Sequence, residues 1–319
     1  MPRVLIALGA NLGNRQETLQ RALERLAHLA NSPPRASRFH ETAPIGGPAG
    51  QGAFLNAAAV VETALAPGDL HTQLRNIEDS LGRQRDERWA ARTIDLDLLL
   101  YEDDNGASQI ILTPQLQVPH SRMAFRRFVL EPAAEVASDM THPLLGRTLG
   151  QLLEHLNRGP RLIIVVGRPE QQPDVLAQAV CQASGARWIH LDGAADLESV
   201  YLSMAHSDPS GRPPAPPIQL PDRDQLPPQP GRPDSKWTIA AVRVDHGQPD
   251  WLARQSVQPM LLVALEDWTT SVRARLDATP SPAGVFELAG QIGCPLLCAG
   301  ASDPAAQLNE ITAALAAMD

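Results

Sequence analysis

The stretch RTIDLDLLLY, residues 92–101, constrains this chain more than any other segment. In an extended strand successive side chains point to opposite faces. Thr93, Asp95, Asp97 and Leu99 therefore share one face, and Ile94, Leu96, Leu98 and Leu100 share the other. The aliphatic face must be buried. The opposite face carries two neighbouring carboxylates that repel one another, and a strand whose backbone donors are committed to its ladder cannot satisfy them. Such a strand belongs in a sheet with a packed layer on one side and either a solvated edge or a bound cation on the other. An all-oxygen ligand pair suits Mg²⁺, which keeps several waters and completes its shell with substrate phosphates.

The segments around this strand alternate between strand and helix patterns, which suits a sheet layered with helices. RVLIALG (3–9) reads as a strand. NRQETLQRALERLAHLA (14–30) places Leu19, Leu23, Leu26 and Leu29 at helical spacing, with Asn14 as its N-cap. FLNAAAVVETAL (54–65) reads as a strand and APGDLHTQLRNIEDSLG (66–82) as a helix that begins near Pro67 and ends at Gly82. A chain of 319 residues exceeds what one small core organises, and a second domain is expected. The break falls near LNRGPRLIIVVG, giving domains at 1–158 and 159–319. In the second, RLIIVVG (161–167), PDVLAQAVCQASG (173–185) and ARWIHLDG (186–193) form a βαβ opening. WTIAAVRVD, MLLVALED and CPLLCAG follow as strands, and PAAQLNEITAALAAMD closes the chain as a helix. Residues 207–235 are so rich in proline that helix and central strand are both excluded there, leaving an extended excursion.

A net charge of −9 argues against general affinity for nucleic acid or for an anionic membrane. No stretch has the length of apolar sequence needed to span a bilayer, the N-terminus lacks a secretory pattern, and a cytoplasmic location is expected. Cys181, Cys294 and Cys298 make no CxxC pair and have no histidine at ligand spacing, so they read as buried free thiols.

Three further clusters accompany the acidic strand. Immediately upstream, GRQRDERWAAR supplies Arg83, Arg85, Arg88 and Arg92 around Trp89. Guanidinium forks grip phosphate oxygens, and a loop that carries them can close over a nucleotide. Cations running directly into metal-binding acids are what phosphoryl transfer needs, because the charge on the transferring group must be neutralised from several sides. VPHSRMAFRRFVLEP (118–132) adds His120, Arg126 and the ring of Phe128. ETAPIGGPAGQGAFLNAA (41–58) is a Gly/Pro-rich loop leading to Phe54 and Asn56, which share a strand face and together suit a flat polar heterocycle. For each cluster a bland alternative stands beside the chemical one: a solvated loop, a capping histidine, or core packing of Phe54.

With ALGANLGNR, ETAPIGG, FLNAA, GRQRDERWAARTIDLDLLLY and VPHSRMAFRRFVLEPAAEVA in this order, the first ~158 residues resemble the 6-hydroxymethyl-7,8-dihydropterin pyrophosphokinase family. The resemblance implies an α+β fold of ferredoxin-like type. It also implies transfer of the β,γ-diphosphate of ATP to the pterin hydroxymethyl oxygen, with release of AMP, in folate biosynthesis. Carried over by position, Asp95 and Asp97 would hold two Mg²⁺ against the ATP phosphates. Arg83 and Arg92 would steady the triphosphate and the leaving AMP, with Arg85, Arg88, His120 and Arg126 as further ATP contacts. Phe54 and Phe128 would sandwich the pterin, while Asn56 and the backbone around Thr42, Ala43 and Ile45 would read its edge, and Trp89 would travel with a closing loop. The sequence departs from the family's pattern at Ala43, where proline is frequent, and at Phe54, where tyrosine is common. The Arg83–Trp89 loop is slightly short, and Asp86 stands near a position that is sometimes lysine.

Residues 159–319 resemble a degenerate P-loop or deoxynucleoside kinase domain with a mostly parallel sheet. The first strand is followed by GRPEQQPDVLA, which lacks the second glycine and the lysine of GxxxxGK[ST], so no nucleoside phosphorylation is expected of it. An accessory role in self-association or in binding a protein partner is expected instead. The competing class is a non-catalytic pterin or nucleotide sensor. The acid pair and arginine cluster favour the enzyme, because a binder has no need of groups used only on a transferring phosphoryl unit.

Overall fold

A computed structural model describes residues 1–45, 50–83, 91–158, 161–190, 237–243, 259–265, 272, 289, 294–300 and 303–319. These residues pack as two compact units. One comprises Met1–Arg158 with Pro295–Leu297 and Asn309–Asp319, and the other comprises Gly159–Cys294 with Cys298–Leu308. The assignment of the last residues to the first unit does not follow a simple division into two consecutive blocks.

The first unit is built on a sheet in the order β2-β4-β1-β5, with β3 also paired to β4. Its strands are Arg3–Ala10 (β1), Arg35–Ala36 (β2), His40–Thr42 (β3), Phe54–Glu62 (β4) and Asp95–Glu102 (β5). Helix α1 spans Arg15–Ala27, and its Asn14 cap accepts a hydrogen bond from the Glu17 amide as the sequence implies. Helix α2 spans Pro67–Ser80 and stops before Gly82, whose φ of 82° only a residue without a side chain adopts at little cost. One face of the sheet presents Val4, Ile6, Leu8 and Ala10 from β1. They pack with Leu19, Ala22 and Leu26 of α1 and with Leu70, Leu74 and Ile77 of α2 into one core. Burying side chains of this size stabilises by roughly 1.5–3 kcal/mol each.

The regular alternation expected over 92–101 does not run the whole length of the strand. β5 begins at Asp95, and its pairing with β1 shifts register between Leu5, opposite Leu100, and Ile6, opposite Leu98. Leu99 is the extra residue of a bulge, and beyond it the faces exchange. The core cluster therefore takes Ile94, Leu96, Leu98 and then Tyr101 in place of Leu100. Asp95 and Asp97 lie ahead of the bulge and keep their shared face.

Beyond β5 come two short ladders, Ile111–Leu112 (β6) with Gln117–Val118 (β7), and Thr141–His142 (β8) with Arg147–Thr148 (β9). Between them lie a 3₁₀ turn, Met123–Phe125, and helix α3, Arg127–Ala137, which packs on β4 and β1. Helix α4 follows at Leu149–Arg158.

In the second unit β10 (Leu162–Gly167) is followed by α5 (Pro173–Ser184) and β11 (Arg187–His190), the expected βαβ opening. With Thr238–Arg243 (β12) and Leu261–Ala264 (β13) the strands of this unit lie in the order β11-β12-β10-β13, and Leu296–Cys298 forms β14. β10 pairs in parallel with both β12 and β13, and β11 pairs in parallel with β12. The chain is thus an α/β protein whose second sheet is parallel, and β10 is buried along its whole length as parallel strands are. The last helix, α6, spans Pro304–Met318. The proline-rich run 207–235 lies outside the described residues.

Cys181 and Cys294 are buried free thiols as expected, and burial pushes the Cys181 thiol up to about 12. Cys298 departs from the expectation in being partly exposed.

Candidate active site

The site sits on the sheet face opposite the α1/α2 core. Strand register builds it: Gly9 lies opposite Asn56 on one side and Asp95 on the other, while Ala7 lies between Ala58 and Asp97. Two small residues on the middle strand leave a groove between the outer strands. A Cβ at Gly9 would stand 3.2 Å from the Asn56 side-chain oxygen, so the groove depends on glycine at this position. The groove is part of a cavity of about 320 Å³.

Most of the residues singled out in the sequence line this cavity. They are Thr42, Ala43, Ile45, Phe54, Asn56 and Phe128, together with Arg92, Asp95, Asp97, His120 and Arg126. Asn56 is buried and donates from Nδ2 to the Thr42 hydroxyl at 2.8 Å, which fixes its amide plane. The Arg126 guanidinium stands over the Phe128 ring, 5.5 Å from its centroid. The His120 amide is anchored to the Leu99 carbonyl at 3.0 Å, which ties the 118–132 cluster to the bulged strand.

The acids differ in their partners. Asp95 is gripped from both sides, by Arg83 Nη1 at 2.8 Å and by Arg92 Nη1 at 2.5 Å. Burial pushes its pKa up, the charge of Asp97 pushes it further, and the two guanidiniums oppose both. Asp97 is more exposed and has His120 Nε2 at 3.9 Å. Burial lowers the His120 pKa to about 3, helped by Arg126 and Arg122, so the imidazole is neutral at pH 7. Burial also brings Arg126 down to about 10, with Arg122 adding to the effect. Two carboxylates close enough that the charge of Asp97 raises the proton affinity of Asp95, offering only oxygens to a cleft with arginines behind them, suit a hard divalent cation such as Mg²⁺.

Arg83 is not among the residues lining the cavity. Its side chain is buried between Glu78 and Asp95, so it braces the acid from behind and does not face the cleft. Arg85, Arg88 and Trp89 lie outside the described residues. Three residues enter that sequence reasoning had not singled out. Asn11 accepts the Arg92 amide at 2.6 Å, donates its own amide to the Arg92 carbonyl at 3.0 Å, and binds Gln51 through Nδ2. It thereby locks the backbone that delivers Arg92. Glu78, on α2, accepts the Leu96 amide at 2.8 Å and pairs with Arg83. Arg122 lines the cavity beside Arg126.

An α+β domain that gathers paired carboxylates, several guanidiniums, aromatic rings and a fixed amide around one cleft is of the kind that joins a polyphosphate to a flat heterocyclic acceptor. The family described as 7,8-dihydro-6-hydroxymethylpterin-pyrophosphokinase matches residues 5–138. The 2-amino-4-hydroxy-6-hydroxymethyldihydropteridine pyrophosphokinase of Pseudomonas aeruginosa is 43% identical over 152 residues, which is 47% of this chain and 90% of that protein. The protein of that name from Bacillus subtilis is 43% identical over 136 residues, 42% of this chain and 78% of its own length. Among solved structures, Plasmodium falciparum HPPK-DHPS with pteroate aligns at a TM-score of 0.38 and 11% identity, covering 61% of this chain and 56% of that one. The chain belongs to the 6-hydroxymethyl-7,8-dihydropterin pyrophosphokinase family. No helix among the described residues is long and apolar enough to cross a membrane.

Proposed function

We propose that the cleft of the first unit is the seat of the family's reaction, ATP-dependent pyrophosphoryl transfer to hydroxymethyldihydropterin in folate biosynthesis. ATP is the co-substrate. The observation that carries the assignment to this cleft is the row Asn56–Gly9–Asp95, which puts a heterocycle-binding amide and a charge-handling acid on one face, with only a glycine between them.

The pterin would lie between Phe54 and Phe128, with Asn56 and the backbone at Thr42, Ala43 and Ile45 reading its edge. This presents the hydroxymethyl oxygen toward the acids. That oxygen attacks the β-phosphorus of ATP, the bond from this phosphorus to the α,β-bridging oxygen breaks, and AMP leaves with the bridging oxygen while the hydroxyl proton is lost to solvent. Asp95 and Asp97 would hold two Mg²⁺, which supply charge neutralisation to the triphosphate and acidify the attacking alcohol. Arg92 and Arg126 bind phosphate oxygens from the cleft wall, and Arg85 and Arg88 add contacts from the segment that also carries Trp89. Arg83 opposes the rise that burial and Asp97 impose on the Asp95 pKa and aims its carboxylate. Neutral His120 donates a hydrogen bond to a phosphate oxygen and brings no second positive charge against Arg126. The strand order β2-β4-β1-β5, antiparallel with α1 and α2 on one face, supports the ferredoxin-like assignment.

The test is to incubate the full chain with ATP, Mg²⁺ and hydroxymethyldihydropterin and to follow nucleotide products. One AMP is expected per pterin diphosphate. ADP would replace the reading with ordinary kinase chemistry, and no nucleotide product would favour a pterin or nucleotide sensor.

For the second unit the reading is a degenerate nucleotide-kinase-like domain kept for assembly or partner binding. Its parallel order places the first strand centrally, with the second and third on one side and the fourth on the other. The turn after β10 supports loss of phosphate binding. Gln171 accepts the Arg168 amide at 2.7 Å and donates to the Leu265 carbonyl, so a side chain fills the turn where a phosphate cradle needs open backbone amides. A Cβ at Gly167 would meet Leu265 Cδ1 at 3.0 Å, which leaves little room there. The full chain is expected to form no labelled nucleoside phosphate from deoxynucleosides and ATP; product above an enzyme-free blank would overturn this.

A further inference from the structure

The cleft has a wall that the family match does not cover. Glu310, Ala313, Ala314 and Ala317 of α6 line the cavity, and their spacing of three, four and seven residues puts them on one face of the helix. All four belong to the first unit, far beyond the matched residues 5–138. The end of the helix is fixed by Arg127, whose Nε donates to the Met318 carbonyl at 3.1 Å while its other nitrogens hold Asn157 Oδ1 and the Leu156 carbonyl. A guanidinium on the last carbonyls of a helix is favourably placed against its dipole. The helix face toward the cleft is therefore small and apolar apart from one group, the Glu310 carboxylate.

That carboxylate is paired with Arg122 Nη2, and both side chains are largely buried. Arg122 and Arg126 line the same cavity, and Arg122 is one cause of the lowered Arg126 pKa while Glu310 acts against that lowering. Two guanidiniums side by side in a partly dry cleft need an anion, and in this structure a carboxylate of the chain itself supplies it.

We propose that Arg122 is a further binding residue for the nucleotide's polyphosphate and that Glu310 is its counter-ion in the nucleotide-free cleft, displaced when phosphate arrives. This rests on the assignment of the cleft to ATP. The carboxylate and a phosphate oxygen compete for one guanidinium. Glu310 thus lowers nucleotide affinity and ties occupancy of the cleft to the position of the last helix.

The test is calorimetric titration of the full chain, in Mg²⁺ at low salt, with α,β-methylene-ATP, which cannot release AMP. Glu310→Gln keeps the size of the side chain and removes its charge, and is expected to bind about five- to tenfold more tightly than the unaltered chain. Arg122→Gln is expected to bind about tenfold more weakly. In the Arg122→Gln background the Glu310→Gln gain is expected to vanish, and this is the result a mere docking ion pair would not produce. Glu310→Asp retains the charge and is expected to show no gain. Thermal melts confirm that each variant is folded. An unchanged or weakened affinity in folded Glu310→Gln, or an equal gain without Arg122, overturns the inference and leaves the cleft assignment intact. Failure of the unaltered chain to bind the analogue overturns the cleft assignment and the inference together.

Discussion

Replacing Asp97 with alanine is expected to lower the rate of AMP release by about 10³-fold, at the upper end of the loss seen when one group that stabilises transferring charge is removed. The same change is expected to move the unfolding free energy by no more than ~0.5 kcal/mol, as for a surface substitution. The two expectations have one cause. Asp97 is 43% exposed, the neutral His120 imidazole stands 3.9 Å from it, and the fold does not use it as a strut. Its charge also raises the proton affinity of Asp95, so its removal relieves a repulsion. A carboxylate that adds repulsion, packs against little and faces a cleft is explained by what it binds. Turnover by Asp97→Ala is to be compared with a thermal melt of the same preparation. Full activity in a folded variant would remove the acid from the reaction, whereas lost activity with a lowered melting temperature would show a structural role.

The fold was legible in the sequence wherever hydrophobic period and chain punctuation agreed. Helix α1 has its cap at Asn14 and α2 its proline start and glycine stop, because these are local hydrogen-bond and backbone requirements written in adjacent residues. Less legible were features that depend on distant partners. The bulge at Leu99 arises from how β5 meets β1, and nothing in RTIDLDLLLY alone marks it, since Leu98, Leu99 and Leu100 are chemically identical. Helix α3 was hidden by Pro132, which lies inside it without a backbone donor. The placement of Asn309–Asp319 in the first unit is non-local as well: the pattern of PAAQLNEITAALAAMD announces a helix but not the surface that receives it.

At the site, residue type and order were enough to collect most of the polar and aromatic residues that line the cavity, because acids on an apolar strand and clustered arginines are costly unless they serve a ligand. Supporting residues were harder to find. Asn11 stands in ALGANLGNR with no chemistry of its own, and its part becomes visible only when the Arg92 backbone folds against it. Arg122 reads like any other basic residue in a loop until Arg126 and Glu310 are placed beside it. Arg83 carries the same guanidinium as its neighbours, and no period in the sequence distinguishes an arginine behind an acid from one in front of it.

Glu78 did leave a signal, and its removal is expected to be the most damaging single change to stability. Leu70, Leu74, Ile77 and Leu81 form the apolar stripe of α2, and Glu78 falls on that stripe, one helical turn after Leu74. A carboxylate there is only 2% exposed and must be compensated. It accepts the Leu96 amide at 2.8 Å at the start of β5 and takes the charge of Arg83, which otherwise has Asp95 at 2.8 Å as its partner. Glu78→Ala leaves a buried amide without its acceptor and a buried guanidinium leaning on the acid of the cleft. Breaking a buried pair from one side typically costs about 3–5 kcal/mol. Urea unfolding of Glu78→Ala is expected to show a loss of that order, and Glu78→Gln, which keeps an oxygen for Leu96, a smaller one. Turnover should fall with stability in both variants, because the strand carrying Asp95 and Asp97 is held at its first residues by this contact, whereas Asp97→Ala is expected to separate the two quantities. A loss below about 1 kcal/mol in Glu78→Ala would mean that water satisfies Leu96 and Arg83 as well as the carboxylate does, and the strand would then be positioned by its ladder to β1 alone.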